Sequence, residues 1–124
     1  IELDFPYQAA SAGIGDFADD ISHEKLAVRL TEKTRRADYL MRVNGDSMEP
    51  KYQDGDILLV HEQPAVEVGA TGIFIVNGDR LVKQQGAGEL ISLNPQYPNI
   101  PVCETDSVYC KGKVIGVLAP EDIP

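Results

Sequence analysis

Tryptophan is absent from this chain, and cysteine, histidine and methionine occur only twice each. Cys103 and Cys110 are too few for a disulfide scaffold and form no CxxC pair, so we expect reduced thiols. Neither His23 nor His61 stands in a recognisable catalytic-triad context. The sequence therefore predicts no histidine-based catalytic centre, and it suggests no metal site and no cofactor.

Long apolar runs and an excess of positive charge are also missing. No segment approaches the roughly 20 apolar residues of a membrane-spanning helix, and no basic start leads into an apolar signal region. We therefore expect no membrane association and a cytoplasmic location. The 11 Lys and Arg residues are outnumbered by 20 acidic residues, which gives a formal charge of −9. DNA binding by this chain alone is not expected, because phosphate contacts need a concentrated basic face.

Short apolar runs separated by turn signals dominate what is present, and Asn77-Gly78 is a strong hairpin signal. They predict one mostly β domain over residues 21–124, built from small twisted sheets in a barrel-like or sandwich-like arrangement with short helical turns. Residues 1–20 are rich in small side chains and indicate an extended, adaptable segment instead of packed structure. The candidate strands are residues 26–30, 39–43, 57–60, 72–76, 81–83, 90–93, 108–110 and 113–118.

A serine follows a sharp turn in residues 44–50, Asn-Gly-Asp-Ser-Met-Glu-Pro. Such a turn at Gly45 can lift the hydroxyl of Ser47 out of the sheet and leave neighbouring backbone N–H groups unpaired, as an oxyanion hole requires. The alternative is a turn serine that caps a short helix before Pro50. The local sequence by itself favours that alternative.

A nucleophilic serine needs a base, and a lysine that burial has deprotonated can serve. Lys83 ends a strand of the hairpin predicted around Asn77-Gly78. An exposed strand lysine is the simpler interpretation of Lys83 taken alone. The sequence does not show which way its side chain points.

Taken together, these segments resemble the LexA-type Ser–Lys self-cleaving peptidases (family S24), which include LexA, phage CI-type repressors and UmuD-type polymerase accessory subunits. Residues 43–50 and 54–58 resemble the family's serine box, and Leu81-Val82-Lys83 its lysine box. Residues 93–97 and 112–116 resemble its Asn-Pro loop and closing strand. The resemblance implies a LexA-like C-terminal peptidase fold with Ser47 as nucleophile, Lys83 as general base, and the backbone N–H groups of Asp46 and Ser47 as oxyanion donors.

The family cuts its own chain at a small-residue bond, most often Ala-Gly. Ala12-Gly13 stands 35 residues before Ser47, which is similar to the family spacing, and Ala10-Ser11 is the next candidate. Residues 1–20 are then a cleavage-site segment and residues 21–124 the peptidase and dimerisation domain. The simpler alternative is a flexible linker. Asp46 also stands where LexA has methionine, and an acid there could alter the oxyanion hole or the charge of the lysine.

The resemblance further implies a repressor that dimerises through this domain and binds DNA only through an N-terminal helix-turn-helix domain outside this chain. A RecA-type filament would be the co-protease that stimulates cleavage. The apolar strand at residues 114–118 is expected to be exposed and to pair with a second copy. The alternatives are a non-proteolytic dimerisation or effector-binding module on the same fold, and a UmuD-type translesion polymerase accessory subunit. A signal peptidase is a third alternative, against which the lack of an apolar anchor argues.

Overall fold

The computed structural model describes residues 1–7, 22–102 and 107–124. Strands dominate these ranges, so the prediction of a mostly β domain with short helical turns is confirmed. No helix in the described ranges is long and apolar enough to cross a membrane. In chain order the elements are β1 Glu2–Tyr7, β2 Ser22–Ala27, α1 Glu32–Arg35, β3 Tyr39–Arg42, β4 Ile57–His61, β5 Thr71–Val76, β6 Asp79–Gln85, β7 Glu89–Ile91, β8 Ile100–Pro101, β9 Val108–Val117 and a 3₁₀ helix Pro120–Asp122.

All nine described strands belong to one mixed sheet, in the order β2-β1-β3-β4-β9-β5-β6-β7-β8. β1 and β3 pair in parallel, whereas the other described pairings are antiparallel. The long strand β9 lies at the centre, with β5 beside its first half and β4 beside its second half. Both of these pairings contain an irregularity in register, which increases the local twist of a sheet.

The hairpin of β5 and β6 forms where the Asn-Gly signal predicts it. Asn77 and Gly78 both have positive φ, +50° and +92°, which is the backbone that a tight two-residue hairpin turn requires. All six residues of β5 are buried, because neighbouring strands flank it on both edges and side chains cover it on both faces. Because β5 is buried, its pairing with β6 fixes the position of β6 next to the core.

The core beneath the sheet also anchors the serine turn. Met48, directly after Ser47, is only 1% exposed and packs in a cluster with Met41, Leu58 and Ile73. Burial of a methionine side chain contributes about 1.5–3 kcal/mol. The turn is therefore tied to the core at the residue next to the serine.

The N-terminal segment differs from the expectation. Glu2–Tyr7, predicted to be unpacked, is strand β1 and pairs with β2 along its whole length. Leu3 is buried between the exposed Glu2 and Asp4, a period-two pattern that signals a strand. The small residues that follow obscured this signal. β2 in turn ends at Ala27, so the strand predicted over residues 26–30 overlaps it only at its start.

The closing strand also differs from the expectation. Residues 114–118 were predicted to be exposed, but Val114 and Leu118 are buried. β4 pairs with this half of β9, and the Leu118 N–H donates to the Ile57 carbonyl at 2.7 Å. One edge of this half-strand is therefore already occupied.

Candidate functional site

The turn that carries Ser47 is fixed by the segment that follows it. The Val43 N–H donates to the Asp56 carbonyl at 2.8 Å, and the Gly45 N–H donates to Asp54 Oδ1 at 2.8 Å. Gly45 has φ +89°, which other residues adopt only with strain. These bonds close residues 43–56 into a loop, and the serine is presented at the mouth of a cleft.

Lys83 reaches the serine from β6. Its Nζ lies 2.9 Å from Ser47 Oγ, although 36 residues separate the two in sequence. Lys83 is only 7% exposed, and no carboxylate in the described ranges forms an ion pair with it. Burial lowers the pKa of the Lys83 ammonium, because the charged form loses its hydration. The side chain therefore points inward, and its burial favours the neutral amine.

A second hydroxyl, which the sequence analysis missed, also contacts the lysine. Ser92 Oγ lies 2.9 Å from Lys83 Nζ, and Ser92 is 7% exposed. The Ser92 hydroxyl is also oriented to donate to the Pro98 carbonyl, at a longer 3.4 Å. β6 and β7 pair Gln85 with Leu90 and Gln84 with Ile91, and one further step in this register places Ser92 beside Lys83.

The Asn-Pro loop holds the serine turn from the other side. The Asn94 N–H donates to the Ser47 carbonyl at 2.9 Å, and Asn94 Nδ2 donates to the Asp46 carbonyl at 3.0 Å. The Tyr97 hydroxyl donates to Asp46 Oδ1, and this bond raises the pKa of the Tyr97 hydroxyl. The Asp46 carboxylate is therefore bound by Tyr97 and does not pair with Lys83 in the described structure.

The backbone N–H groups assigned to the oxyanion hole belong to this same turn. In the described part of the chain, the N–H groups of Asp46 and Ser47 have no hydrogen-bond acceptor. The Asp46 carbonyl, in contrast, accepts from both Asn94 Nδ2 and the Glu49 N–H. The turn is thus held through the Gly45 N–H and through the carbonyls of Asp46 and Ser47, which leaves these two donors available to a reacting group.

The other candidates lie away from this constellation or outside the described residues. His61 Nδ1 lies 3.4 Å from Asp38 Oδ2 on the exposed end of β4. Asp56 Oδ2 accepts from the Gln53 N–H, so this residue serves the turn. No cluster of potential metal ligands occurs among the residues searched, which are the described ones. Ala12-Gly13, Ala10-Ser11 and Cys103 lie outside the described ranges.

The cleft around Ser47 and Lys83 is formed by two strands that are not neighbours in the sheet. It lies between residues 41–44, at the end of β3, and residues 80–83 of β6. Three strands separate β3 from β6 in the sheet order. The sheet therefore curves strongly enough to bring these strands to opposite sides of one groove.

Comparison with known proteins places these residues in a family context. Residues 6–115 match the peptidase S24-like family. The chain is 34% identical over 118 residues to LexA repressor 2 of Pseudomonas syringae pv. tomato, covering 91% of this chain and 57% of that protein. It is 32% identical over 115 residues to LexA repressor 2 of Pseudomonas putida, covering 89% and 56%. It is 38% identical over 84 residues to the LexA repressor of Syntrophobacter fumaroxidans, covering 64% and 41%. The chain thus spans about half the length of these relatives.

Proposed function

The chain belongs to the peptidase S24-like family, and from this premise we propose that it is the C-terminal regulatory domain of a LexA-type transcriptional repressor that cuts its own chain. The predicted resemblance to this family is confirmed. The observation that carries the proposed chemistry is the 2.9 Å contact between Ser47 Oγ and the buried Lys83 Nζ. A hydroxyl and an amine at this distance can exchange a proton directly.

In the proposed reaction, the hydroxyl of Ser47 attacks the carbonyl carbon of Ala12 while neutral Lys83 takes the hydroxyl proton. The oxyanion that forms accepts hydrogen bonds from the N–H groups of Asp46 and Ser47. Lys83 then gives its proton to the amine of Gly13, the Ala12–Gly13 bond breaks, and an Ala12 ester of Ser47 remains. Water, deprotonated by Lys83, hydrolyses the ester and restores the serine.

In this proposal Ser92 orients the amine of Lys83, the general base. A neutral lysine has two N–H donors and one lone pair, and only the lone pair can accept the serine proton. If the Ser92 hydroxyl donates to the Pro98 carbonyl, its oxygen is left to accept an N–H of Lys83. The lone pair of Lys83 is then directed to Ser47.

At the level of the whole protein, we propose a cytoplasmic repressor that is dimeric through this domain. Its DNA contacts would come from a domain outside this chain, since a formal charge of −9 does not favour phosphate binding. Cleavage would separate the dimerisation domain from the DNA-binding domain. The cleavage segment would lie in residues 8–21, because residues 2–7 belong to the sheet. By analogy with the family, a RecA-type filament would stimulate the reaction.

The test is self-cleavage of the purified chain in alkaline buffer, followed by mass spectrometry. We expect products of 12 and 112 residues from cleavage of the 124-residue chain after Ala12. The fractional rate is expected to stay constant on dilution, because the substrate is tethered to the site. Ser47→Ala and Lys83→Ala should abolish cleavage, whereas His61→Ala and Cys103→Ala should cut normally. Cleavage of Lys83→Ala at the wild-type rate would refute the dyad.

A further inference from the structure

One residue of the Asn-Pro loop binds both peptide groups that flank the nucleophile. The Asn94 N–H donates to the Ser47 carbonyl at 2.9 Å, and Asn94 Nδ2 donates to the Asp46 carbonyl at 3.0 Å. The Asp46 carbonyl belongs to the peptide group before the Cα atom of Ser47, and the Ser47 carbonyl belongs to the one after it. Because the backbone is free to turn only between such planes, holding both of them fixes the conformation of Ser47.

The bond to the Asp46 carbonyl also determines where the Ser47 N–H points. The peptide bond between Asp46 and Ser47 is trans, and in a planar trans peptide group the C=O and the N–H point in opposite directions. A donor that holds the Asp46 carbonyl therefore sets the direction of the Ser47 N–H on the opposite side. That N–H is one of the two donors assigned to the oxyanion hole.

The side-chain amide of Asn94 is itself held in one orientation. Asn94 Oδ1 accepts from the Gln96 N–H at 3.0 Å. An amide side chain has an acceptor oxygen and a donor nitrogen, and its two neighbours here are a backbone N–H and a backbone carbonyl. Only one orientation satisfies both neighbours, and it presents the nitrogen to the serine turn.

Hydrogen bonding at the Asp46 carbonyl also strengthens the N–H at the other end of the same peptide group. This carbonyl accepts from Asn94 Nδ2 and, at 3.1 Å, from the Glu49 N–H. Hydrogen bonds in a chain polarise one another, so a peptide group whose carbonyl accepts becomes a better N–H donor. A fixed and polarised donor stabilises negative charge that develops in a reaction.

We infer that Asn94 is a positioning residue for the oxyanion hole, which directs and polarises the Ser47 N–H through the Asp46 carbonyl. The inference rests on the proposed self-cleavage. The bonds of Asn94 to the turn go to backbone carbonyls and not to the reacting atoms, so its role is to position and not to react. Ser92, two residues earlier, contacts Lys83, so one short segment contacts both the turn of the nucleophile and the base.

Self-cleavage of Asn94→Ala across the pH profile tests this role. The variant keeps the backbone N–H that binds the Ser47 carbonyl and loses the side-chain amide. Removal of an oxyanion donor slows a reaction by about 10²–10³, and we expect a smaller loss of about tenfold because the Glu49 N–H still holds the Asp46 carbonyl. The loss should be the same at every pH, because Lys83 keeps its contacts with both serine hydroxyls.

A merely structural role of Asn94 would give a different result. If its loss loosened the whole loop, Ser92 would move away from Lys83 and the plateau of the pH profile would begin at a lower pH. If part of the protein misfolded, cleavage would stop before completion instead of reaching the same end point more slowly. Either result would overturn the inference. Asn99→Ala removes an exposed amide from the same region and should cut as the parent chain does.

A second variant separates the donor of Asn94 from its acceptor. Asn94→Asp keeps an acceptor for the Gln96 N–H but has no N–H for the Asp46 carbonyl. On the plateau it should be at least as slow as Asn94→Ala. A rate equal to that of the parent chain would show that only the acceptor matters and would overturn the inference.

A further measurement does not depend on cleavage. In the intact chain, at a pH that keeps Lys83 in its ammonium form, Asn94→Ala should move the ¹³C resonance of the Asp46 carbonyl and the ¹⁵N resonance of Ser47. Asn99→Ala should move neither. Unchanged resonances in Asn94→Ala would contradict the proposed polarisation.

The outcomes distinguish this inference from the proposed function. If the parent chain cuts in a Ser47-dependent manner and Asn94→Ala cuts equally fast, only this inference fails. If the parent chain does not cut, the proposed function fails and the inference fails with it.

Discussion

Replacing Ser92 by alanine is expected to change the pH dependence of self-cleavage in a diagnostic way. Ser92 Oγ lies 2.9 Å from Lys83 Nζ at a buried position, so it can accept an N–H from either form of the lysine. A hydrogen bond to a charged group contributes about 1.5–3 kcal/mol, and one between neutral groups about 0.5–1.5 kcal/mol. Ser92 thus favours the ammonium by about 1–1.5 kcal/mol, which holds the pKa of Lys83 above the value that burial alone would give. The pKa of Lys83, which burial already lowers, should fall further in Ser92→Ala.

The effect on the rate depends on the form in which Lys83 begins the reaction. Below its pKa, Lys83 begins as ammonium and has ammonium character again in the transition state, so the contribution of Ser92 cancels. Above its pKa, Lys83 begins neutral, and the stronger bond exists only in the transition state. We therefore expect an unchanged rate on the rising limb of the pH profile. The plateau should be about tenfold lower and should begin at a lower pH.

The assay is a time course of cleavage across neutral to strongly alkaline buffers, analysed by electrophoresis. Ser107→Ala removes an exposed serine outside the cleft and serves as the matched control. Ser92→Thr keeps the hydroxyl. When its melting temperature equals that of the parent chain, its plateau rate should equal that of the parent chain as well. A loss by the same factor at every pH would refute this reasoning, because it would mean that Ser92 acts by orienting or packing the amine and not by stabilising the ammonium.

Three further predictions concern the surroundings of the dyad and the assembly. Tyr97→Phe removes the hydrogen bond to the Asp46 carboxylate and leaves this negative charge free beside the nucleophile. Cleavage should therefore slow by about threefold, the effect of an exposed contact, and Asp46→Asn in that background should restore the rate. The Asp122 carboxylate accepts hydrogen bonds from the Ala119 N–H at 2.9 Å and from Lys33 Nζ at 3.0 Å. Both bonds hold the pKa of Asp122 below its ordinary value, and the bond from the Ala119 backbone has the larger effect. A lowered pKa stabilises the fold above the unfolded-state pKa of about 3.9, and this stability is lost as the pH falls through the folded-state value. Asp122→Asn should therefore lower the melting temperature at neutral pH, with a gap that narrows in acid; an equal gap at both pH values would contradict this. Sedimentation at micromolar concentration should report a dimer. A monomer would contradict the proposed dimerisation through this domain and would not affect the proposed peptidase activity.

The sequence predicted local features of the fold better than the contacts between distant segments. The Asn77-Gly78 hairpin follows from two residues that tolerate positive φ, and its turn lies where the pattern predicts. The central position of β9 does not follow from any local pattern, because it depends on pairing with β4 and β5 from distant parts of the chain. An apolar strand near the end of the chain was therefore interpreted as exposed, although Val114 is buried.

The two hydroxyls that contact Lys83 show the same difference between local features and contacts of distant segments. Ser47 reaches the lysine across 36 residues through the curvature of the whole sheet, and only the family resemblance paired them in advance. Ser92 reaches it through a local hairpin whose turn, around Gly86-Ala87-Gly88, lies between the predicted strands at residues 81–83 and 90–93. In that turn the Gly86 N–H donates to the Glu89 carbonyl at 2.9 Å, and Gln85 pairs with Leu90. Counting outward from residues 86–89 as the turn pairs position 84 with 91 and position 83 with 92. A turn length fixed from the sequence would thus have placed a second hydroxyl beside the lysine, whereas nothing local could have brought Ser47 there.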